Sequence, residues 1–224
     1  MKKELDKYFK DWKPETDCVV VGSSPSLTWY NFGKYIDKFE TVVRVNYCFT
    51  TDTDLSTGKK VDIWSTTNTD RPGWDCFSAI NEETKEVWVR TPVTEEQLKG
   101  CGAFESFPVK NIKYISRKGN SDITFVHDGM IDITGTPTGI LTINQALNQF
   151  KKITIIGHTF YLETKDISIH LGQEKEDDNH EKARRGWAGD GWCMHNLNII
   201  KDLIKDGRII LLNPFEYDNL AKLK

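Results

Sequence analysis

The sequence predicts an α/β fold, in which a Rossmann-like, mainly parallel sheet carries helices on both faces. Short apolar runs rich in Val and Ile recur along the 224 residues, stretches with helical periodicity separate them, and two of the runs are paired with a glycine turn. This alternation is typical of parallel strands joined by crossover helices. Apolar runs without polar alternation are typical of strands that are buried on both faces.

Seven runs are predicted to be strands. They are residues 19–21, 41–45, 61–64, 86–89, 112–115, 153–156 and 208–212. Helical patterns lie near residues 29–39, 75–81, 95–101, 139–150 and 196–205, and a short amphipathic helix is predicted over residues 1–10.

A polar, charge-rich stretch at residues 158–193 interrupts the alternation, and it contains several aromatic residues. Long structureless segments inside compact domains are usually active-site lids or disordered inserts, and purely solvated loops rarely carry so many aromatic groups. We therefore expect one domain over residues 1–224 with a lid at residues 158–193. A solvated surface loop is the alternative.

The first glycine turn follows the strand predicted at residues 19–21. Gly22 permits a sharp bend or a close approach to a ligand, and Ser23 and Ser24 supply hydroxyl and N–H groups. Such a turn lies at the carboxyl end of its strand, where open α/β sheets bind ligands. An ordinary turn whose serines cap a helix is the alternative, and the spacing is not that of a dinucleotide site.

The second glycine turn precedes the helix predicted at residues 139–150 and contains Thr136, Thr138 and Gly139. Thr138 and Gly139 open the helix after a proline, so that backbone N–H groups and the helix dipole can face an anion. Two such turns at one sheet predict a nucleotide site.

Composition limits the partners and the location. A net charge of -3 gives no general attraction to nucleic acid or anionic membranes. No apolar stretch approaches the roughly 20 residues of a membrane span, and the first residues are too charged for a signal peptide. The five cysteines are odd in number and lack CxxC spacing, which is typical of reduced thiols rather than of a zinc site or a disulfide framework. We expect a cytoplasmic protein.

Three segments, in this order, resemble the motifs of the sialyltransferases. VVGSSPSL at residues 20–27, GKYID at residues 33–37 and VRVN at residues 43–46 are similar to the family's large motif. TPTGILTINQAL at residues 136–147, followed by ITIIGH, is similar to its small motif, and the stretch from His195 to DGRIIL resembles its C-terminal motif.

The resemblance implies a nucleotide-sugar transferase. It would move sialic acid or a related sugar from a CMP-activated donor to an acceptor hydroxyl, with inversion, and without a metal or another cofactor. A glycan is the expected acceptor. The residues implied to contact the nucleotide, or to shape its turns, are Gly22, Ser23, Ser24, Asn46, Asn68, Thr136, Thr138, Gly139 and Gly157.

The resemblance also implies catalytic residues. His195 would be the general base, since histidine side chains exchange protons near neutral pH; a packed or surface histidine is the alternative. His158 and Tyr161 would steady the departing phosphate in place of a metal. Asp52-Thr-Asp54 has the letters of a metal-binding Asp-x-Asp, but a loop is predicted there, and we assign no metal ligand.

The chain departs from the family pattern at three places. Ser23 replaces the Asn of the large motif, and Ile200 replaces a Glu that follows the family's His. Golgi members link two motif cysteines; Cys18 fills the first position, but Gln149 and Phe150 stand where the second would be. The missing partner is expected of a cytosolic bacterial or viral protein.

Three alternatives remain open at this point. A pyrophosphokinase-like nucleotide enzyme also carries a Gly-x-x-Pro-Ser-Leu turn, but lacks the Thr-Pro-Thr-Gly segment at this spacing. A catalytically silent nucleotide-binding module would explain Ser23 and Ile200. Finally, a phage enzyme could modify hydroxymethylated DNA, with residues 182–185 beside tryptophans supplying phosphate and stacking contacts.

Overall fold

Seven strands form one parallel sheet in the computed structural model of this chain. The structure describes residues 9–24, 27, 30–46, 54–66, 83–89, 111–115, 124–125, 131–132, 138–158 and 191–213. The strands, in chain order, are β1 (Cys18–Val21), β2 (Thr41–Val45), β3 (Ile63–Thr66), β4 (Glu86–Val89), β5 (Asn111–Tyr114), β6 (Thr124–Phe125), β7 (Ile131–Asp132), β8 (Ile153–Ile156) and β9 (Ile209–Leu211).

The strand order of the large sheet is β5-β4-β3-β2-β1-β8-β9, and β6 and β7 form a separate antiparallel pair. Neighbouring strands of the large sheet are parallel throughout. Strands β2, β3, β4 and β5 follow one another on one side of β1, and β8 and β9 lie on its other side. The order therefore reverses between β1 and β8, which makes their carboxyl ends the expected ligand crevice of such a sheet.

Helices cover both faces of the sheet. They are α1 (Gly33–Ile36), α2 (Asp54–Thr57), α3 (Thr138–Gln149) and α4 (Gly191–Lys205). Successive residues of β1 point to opposite faces, so that Val20 packs in one core cluster with Ile143 of α3 and Ile200 of α4. Val21 packs in a second cluster with Ile36 of α1.

These strands confirm the α/β class and the parallel sheet that the sequence predicts. The third strand is shifted from residues 61–64 to Ile63–Thr66. At its start, the Val42 N–H donates to the Asp62 carboxylate at 2.8 Å instead of to a backbone carbonyl. At its end, Ser65 and Thr66 are polar but wholly buried, and a hydropathy pattern does not mark such residues as part of a buried strand.

The helices differ from prediction mainly at their ends. Of the helix predicted at residues 29–39, the described residues 30–39 are α-helical only at Gly33–Ile36. After Ile36 the turns are tighter, since the N–H groups of Lys38 and Phe39 donate to carbonyls three residues back. α4 begins at Gly191 rather than at residue 196, and α2 lies where a loop was predicted.

Some predicted segments fall where the structure gives no description. The helices at residues 75–81 and 95–101, most of the helix at residues 1–10, and the lid between residues 159 and 190 lie outside the described residues. Among the helices that are described, none has the length and apolarity needed to cross a membrane.

Two residues of the large-motif segment have a structural role. Arg44 of β2 is fully buried; its Nε donates to the Lys60 carbonyl and its Nη2 to the Thr57 carbonyl, both at 2.8 Å. The Asp37 carboxylate accepts the N–H groups of Lys59 and Lys60 at 3.0 Å. Together they hold the loop between α2 and β3 at the amino end of the sheet, on the side away from the expected ligand crevice.

We predict that Arg44→Ala lowers the free energy of unfolding by about 3 kcal/mol, because it leaves two carbonyls without their donors and opens a cavity. Urea unfolding measures this. Lys205→Ala is the matched control, since it removes a cation that pairs with Asp202 at 3.0 Å on the exposed surface, where the expected change is within about 0.5 kcal/mol. Equal losses in the two variants would contradict the structural role of Arg44.

Candidate functional site

The turn after β1 and the turn after β8 meet at the carboxyl ends of these two strands. The Gly22 N–H donates to the Ile156 carbonyl at 2.8 Å, and the Ser24 N–H donates to the Gly157 carbonyl at 3.1 Å. A Cβ on Gly22 would overlap that Gly157 carbonyl. Only a glycine at residue 22 therefore allows the two turns to lie this close, and the turns form the floor of the crevice.

The imidazole of His158 lies between these turns and the first residues of α3. It comes within 3.0 Å of where a Cβ of Gly22 would stand and within 3.2 Å of where a Cβ of Gly139 would stand. His158 is buried, with 7% of its surface exposed. The ring therefore lies between the turn after β1 and the first residues of α3, and both glycines leave the room that it occupies.

Burial sets the charge of this histidine. Desolvation lowers the pKa of His158 from 6.5 to about 4, against a smaller opposing effect of a hydrogen bond with the backbone of Val20. At neutral pH the ring is thus uncharged, since a buried cation loses its hydration. It can act on a phosphate as a neutral group, but not as an imidazolium.

Asn46 lies at the carboxyl end of β2, beside β1. Its backbone has a φ of 51°, the left-handed conformation that Asn tolerates better than most residues. Its N–H donates to the Ser65 carbonyl at 2.7 Å, and its own carbonyl accepts the indole N–H of Trp64 at 3.0 Å. Both contacts come from β3, which thereby fixes the position of a predicted nucleotide-binding residue.

The first turn of α3 is tied to the same strand. The Thr142 hydroxyl donates to the Thr138 carbonyl at 2.8 Å, and Ser65 Oγ lies 2.6 Å from Thr142 Oγ1. Sequence reasoning missed Ser65 and Thr142. The available signal was a pair of polar residues within otherwise apolar, buried elements, with Thr138 and Thr142 spaced one helical turn apart.

His195 lies near the N-terminus of α4, before the residues of this helix that contact the core. Leu197, Ile200 and Leu203 face the core, whereas His195 and Asn198 are exposed. Because α4 leads into the start of β9, its N-terminal turns lie toward the carboxyl edge of the sheet. Ile200 is fully buried, so it offers His195 no polar support.

Most of the predicted site residues within the described part of the chain converge on one edge of the sheet. They are Gly22, Ser23, Ser24, Asn46, Thr138, Gly139, Gly157 and His158, whereas His195 lies on α4, and none of the contacts described for this group includes it. Tyr161, Asn68 and Thr136 lie outside the described residues. Cys18 is a buried free thiol whose pKa is raised by desolvation and by the charges of Asp62 and Asp17, as expected of a cysteine that fills core space.

Residues 2–70 match the profile of glycosyltransferase family 29, the sialyltransferases. The matched stretch contains β1, β2 and β3, with Gly22 and Asn46 at the ends of the first two strands. The chain is sialyltransferase-like. The predicted glycosyltransferase class is thus confirmed. A separate comparison with curated proteins found no match to this sequence.

Solved structures with a similar fold include two of mammalian sialyltransferases. One, in complex with Gal-beta-1-3GalNAc-ortho-nitrophenol, has a TM-score of 0.51 at 15% sequence identity, and the match covers 87% of this chain and 68% of that chain. A second has a TM-score of 0.49 at the same identity and coverage. The first likeness shows that this sialyltransferase-like chain shares the fold beyond the segment that the family profile matches.

We predict that His158 makes the folded protein less stable in acid. Between its folded and unfolded pKa values the unfolded chain binds a proton that the folded chain does not, so stability is lost as the pH falls from about 6.5 toward 4. The wild type should lose roughly 3 kcal/mol more than His158→Gln over this range. Urea unfolding at several pH values measures the difference, and parallel curves would show that folded His158 accepts the proton.

Proposed function

We propose that this protein is an inverting glycosyltransferase that takes its sugar, sialic acid or a related one, from a CMP-activated donor and needs no metal. The convergence of the turn after β1, the turn after β8 and the start of α3 around His158 carries this proposal. That convergence lies at the switch point of the sheet, within the fold shared with a sialyltransferase, and includes Gly22 of the matched segment.

The nucleotide is proposed to lie across the carboxyl ends of β1, β2 and β8. The first N–H groups of α3 have no partners within a helix and carry the positive end of its dipole, which suits the phosphate. Ser23 and Ser24 provide hydroxyl and N–H groups beside β1, and Asn46 provides an amide beside β2. This arrangement supports a single bound nucleotide rather than a dinucleotide.

His195 is proposed as the base. It would take the proton of the acceptor hydroxyl as that oxygen bonds to the anomeric carbon of the donor sugar. The bond from this carbon to the CMP phosphate breaks on the opposite face, so the configuration inverts and CMP leaves. The exposure of His195 on α4 supports this role, because a base must be open to the acceptor.

The leaving phosphate is proposed to be stabilised by neutral groups. The neutral imidazole of His158, the backbone N–H groups at the start of α3 and the predicted Tyr161 hydroxyl are proposed as its donors. Preorganised donors of this kind stabilise developing charge without the cost of reorienting water.

The proposed acceptor is a glycan hydroxyl. The solved mammalian sialyltransferase with the shared fold is in complex with a disaccharide derivative, Gal-beta-1-3GalNAc-ortho-nitrophenol, which favours a carbohydrate. Modified DNA is the alternative, and the basic residues 182–185 that prompt it lie outside the described part of the chain. A cytoplasmic location remains a prediction.

A silent nucleotide-binding module is the second candidate. The observation that favours it is Ile200, which is packed in the core five residues beyond His195 and cannot support the imidazole as a carboxylate would. Nucleotide binding without transfer would identify this function.

We predict selective binding of CMP without metal. Calorimetric titration with CMP, UMP, UDP, GDP and ATP, before and after addition of magnesium, should show the tightest binding for CMP and no effect of magnesium on it. Thr138→Ala and Asn46→Ala should each weaken binding by about ten-fold, as expected for one lost hydrogen bond to a charged or buried group. Preference for another nucleotide, or a strict need for metal, would overturn the donor assignment.

We predict that His195→Ala lowers turnover by about 100-fold or more while leaving CMP affinity nearly unchanged, which is the range for loss of a general base. Release of CMP from CMP-sialic acid in the presence of a galactoside acceptor measures turnover. Asn198→Ala is the control, since it removes an exposed polar side chain from α4 one turn away. A loss of only a few-fold in His195→Ala would remove His195 from the base role.

A further inference from the structure

Ser65 touches both predicted nucleotide-binding segments that flank the sheet's switch point. Its carbonyl accepts the Asn46 N–H at 2.7 Å, and its hydroxyl lies 2.6 Å from Thr142 Oγ1 on α3. It lies at the carboxyl end of β3, next to the strand that carries Asn46. One residue thus contacts the loop after β2 through its backbone and helix α3 through its side chain.

The direction of the hydrogen bonds follows from proton count. A threonine hydroxyl has one proton, and that of Thr142 goes to the Thr138 carbonyl at 2.8 Å. The 2.6 Å contact must therefore be a donation from the Ser65 hydroxyl to Thr142 Oγ1. We call these two consecutive hydrogen bonds, from the Ser65 hydroxyl to Thr142 Oγ1 and from the Thr142 hydroxyl to the Thr138 carbonyl, the hydroxyl chain.

Burial makes the hydroxyl chain sensitive to substitution. Ser65 and Thr142 are each fully buried, and Thr138 is 4% exposed. Hydrogen bonds in such a dry interior are stronger than in water. A buried hydroxyl or carbonyl that loses its hydrogen-bond partner there costs the free energy of its lost hydration. The hydroxyl chain thus holds the first turn of α3 at a fixed distance from β3.

We infer that Ser65 and Thr142 are positioning residues for the nucleotide, which set the first turn of α3 and Asn46 relative to one another. This inference rests on the proposed function and deepens it, since neither residue need touch the ligand. A phosphate bound by N–H groups requires the helix to be held within a fraction of an ångström. The hydroxyl chain supplies that restraint between the two sides of the site.

The structure offers a matched control at the opposite edge of the sheet. Thr16 Oγ1 and Thr154 Oγ1 are 2.8 Å apart and buried, and Thr16 also donates to the Cys18 carbonyl at 2.9 Å. This is a second buried hydroxyl pair, near the amino ends of β1 and β8 and away from the glycine turns. Thr154→Val should lower stability as Thr142→Val does, without moving the nucleotide site.

The test compares CMP affinity by calorimetry with the urea midpoint of unfolding for wild type, Thr142→Val, Thr142→Ser, Ser65→Ala and Thr154→Val. We expect CMP binding to weaken by about ten-fold in Thr142→Val and Ser65→Ala. It should stay within about two-fold of wild type in Thr142→Ser, which keeps the hydroxyl, and in Thr154→Val. The double variant Ser65→Ala/Thr142→Val should be no worse than either single variant, because both break the same chain.

Each outcome has one meaning. Wild-type affinity in folded Thr142→Val and Ser65→Ala, or an equal loss in Thr154→Val, overturns the positioning role and leaves the proposed function standing. Absence of CMP binding by the wild type overturns the proposed function and the inference with it. Should Thr142→Val not fold, Ser65→Ala decides by the same measurement.

Discussion

The site depends on the close approach of two backbone segments where the strand order reverses. A parallel sheet that extends from β1 in both directions brings the ends of β1 and β8 side by side, and the missing side chain of Gly22 lets the turn after β1 rest against the Gly157 carbonyl. Any larger residue at position 22 would separate the turns. The position of His158, and of the start of α3 against it, follows from that contact.

Burial then decides what chemistry the groups around this contact can perform. His158 lies between Gly22 and Gly139, and burial keeps its imidazole uncharged near neutral pH, so it cannot offer a positive charge to a bound group. His195 lies on the exposed face of α4. The two histidines to which the sequence analysis gave catalytic roles therefore lie at different depths in the fold.

The motif segments that resemble the sialyltransferases serve two purposes. Gly22 and Asn46 end strands at the ligand edge, whereas Asp37 and Arg44 hold the loop between α2 and β3 at the other end of the sheet. The hydrogen bonds separate residues that form the site from residues that stabilise the sheet beneath it.

The sequence by itself determined the parallel α/β sheet and the glycine turn after β1, because apolar runs and glycines are local signals. Those signals also place α3 within one residue of its prediction at each end. Only the tertiary structure decided that β8 lies against β1, that His158 is buried and neutral, and that Ser65 reaches Thr142, which is 77 residues away in the chain. The physical reason is that strand order, burial depth and hydrogen bonds between distant residues arise from tertiary packing. They cannot be predicted from the neighbours of a residue in the sequence.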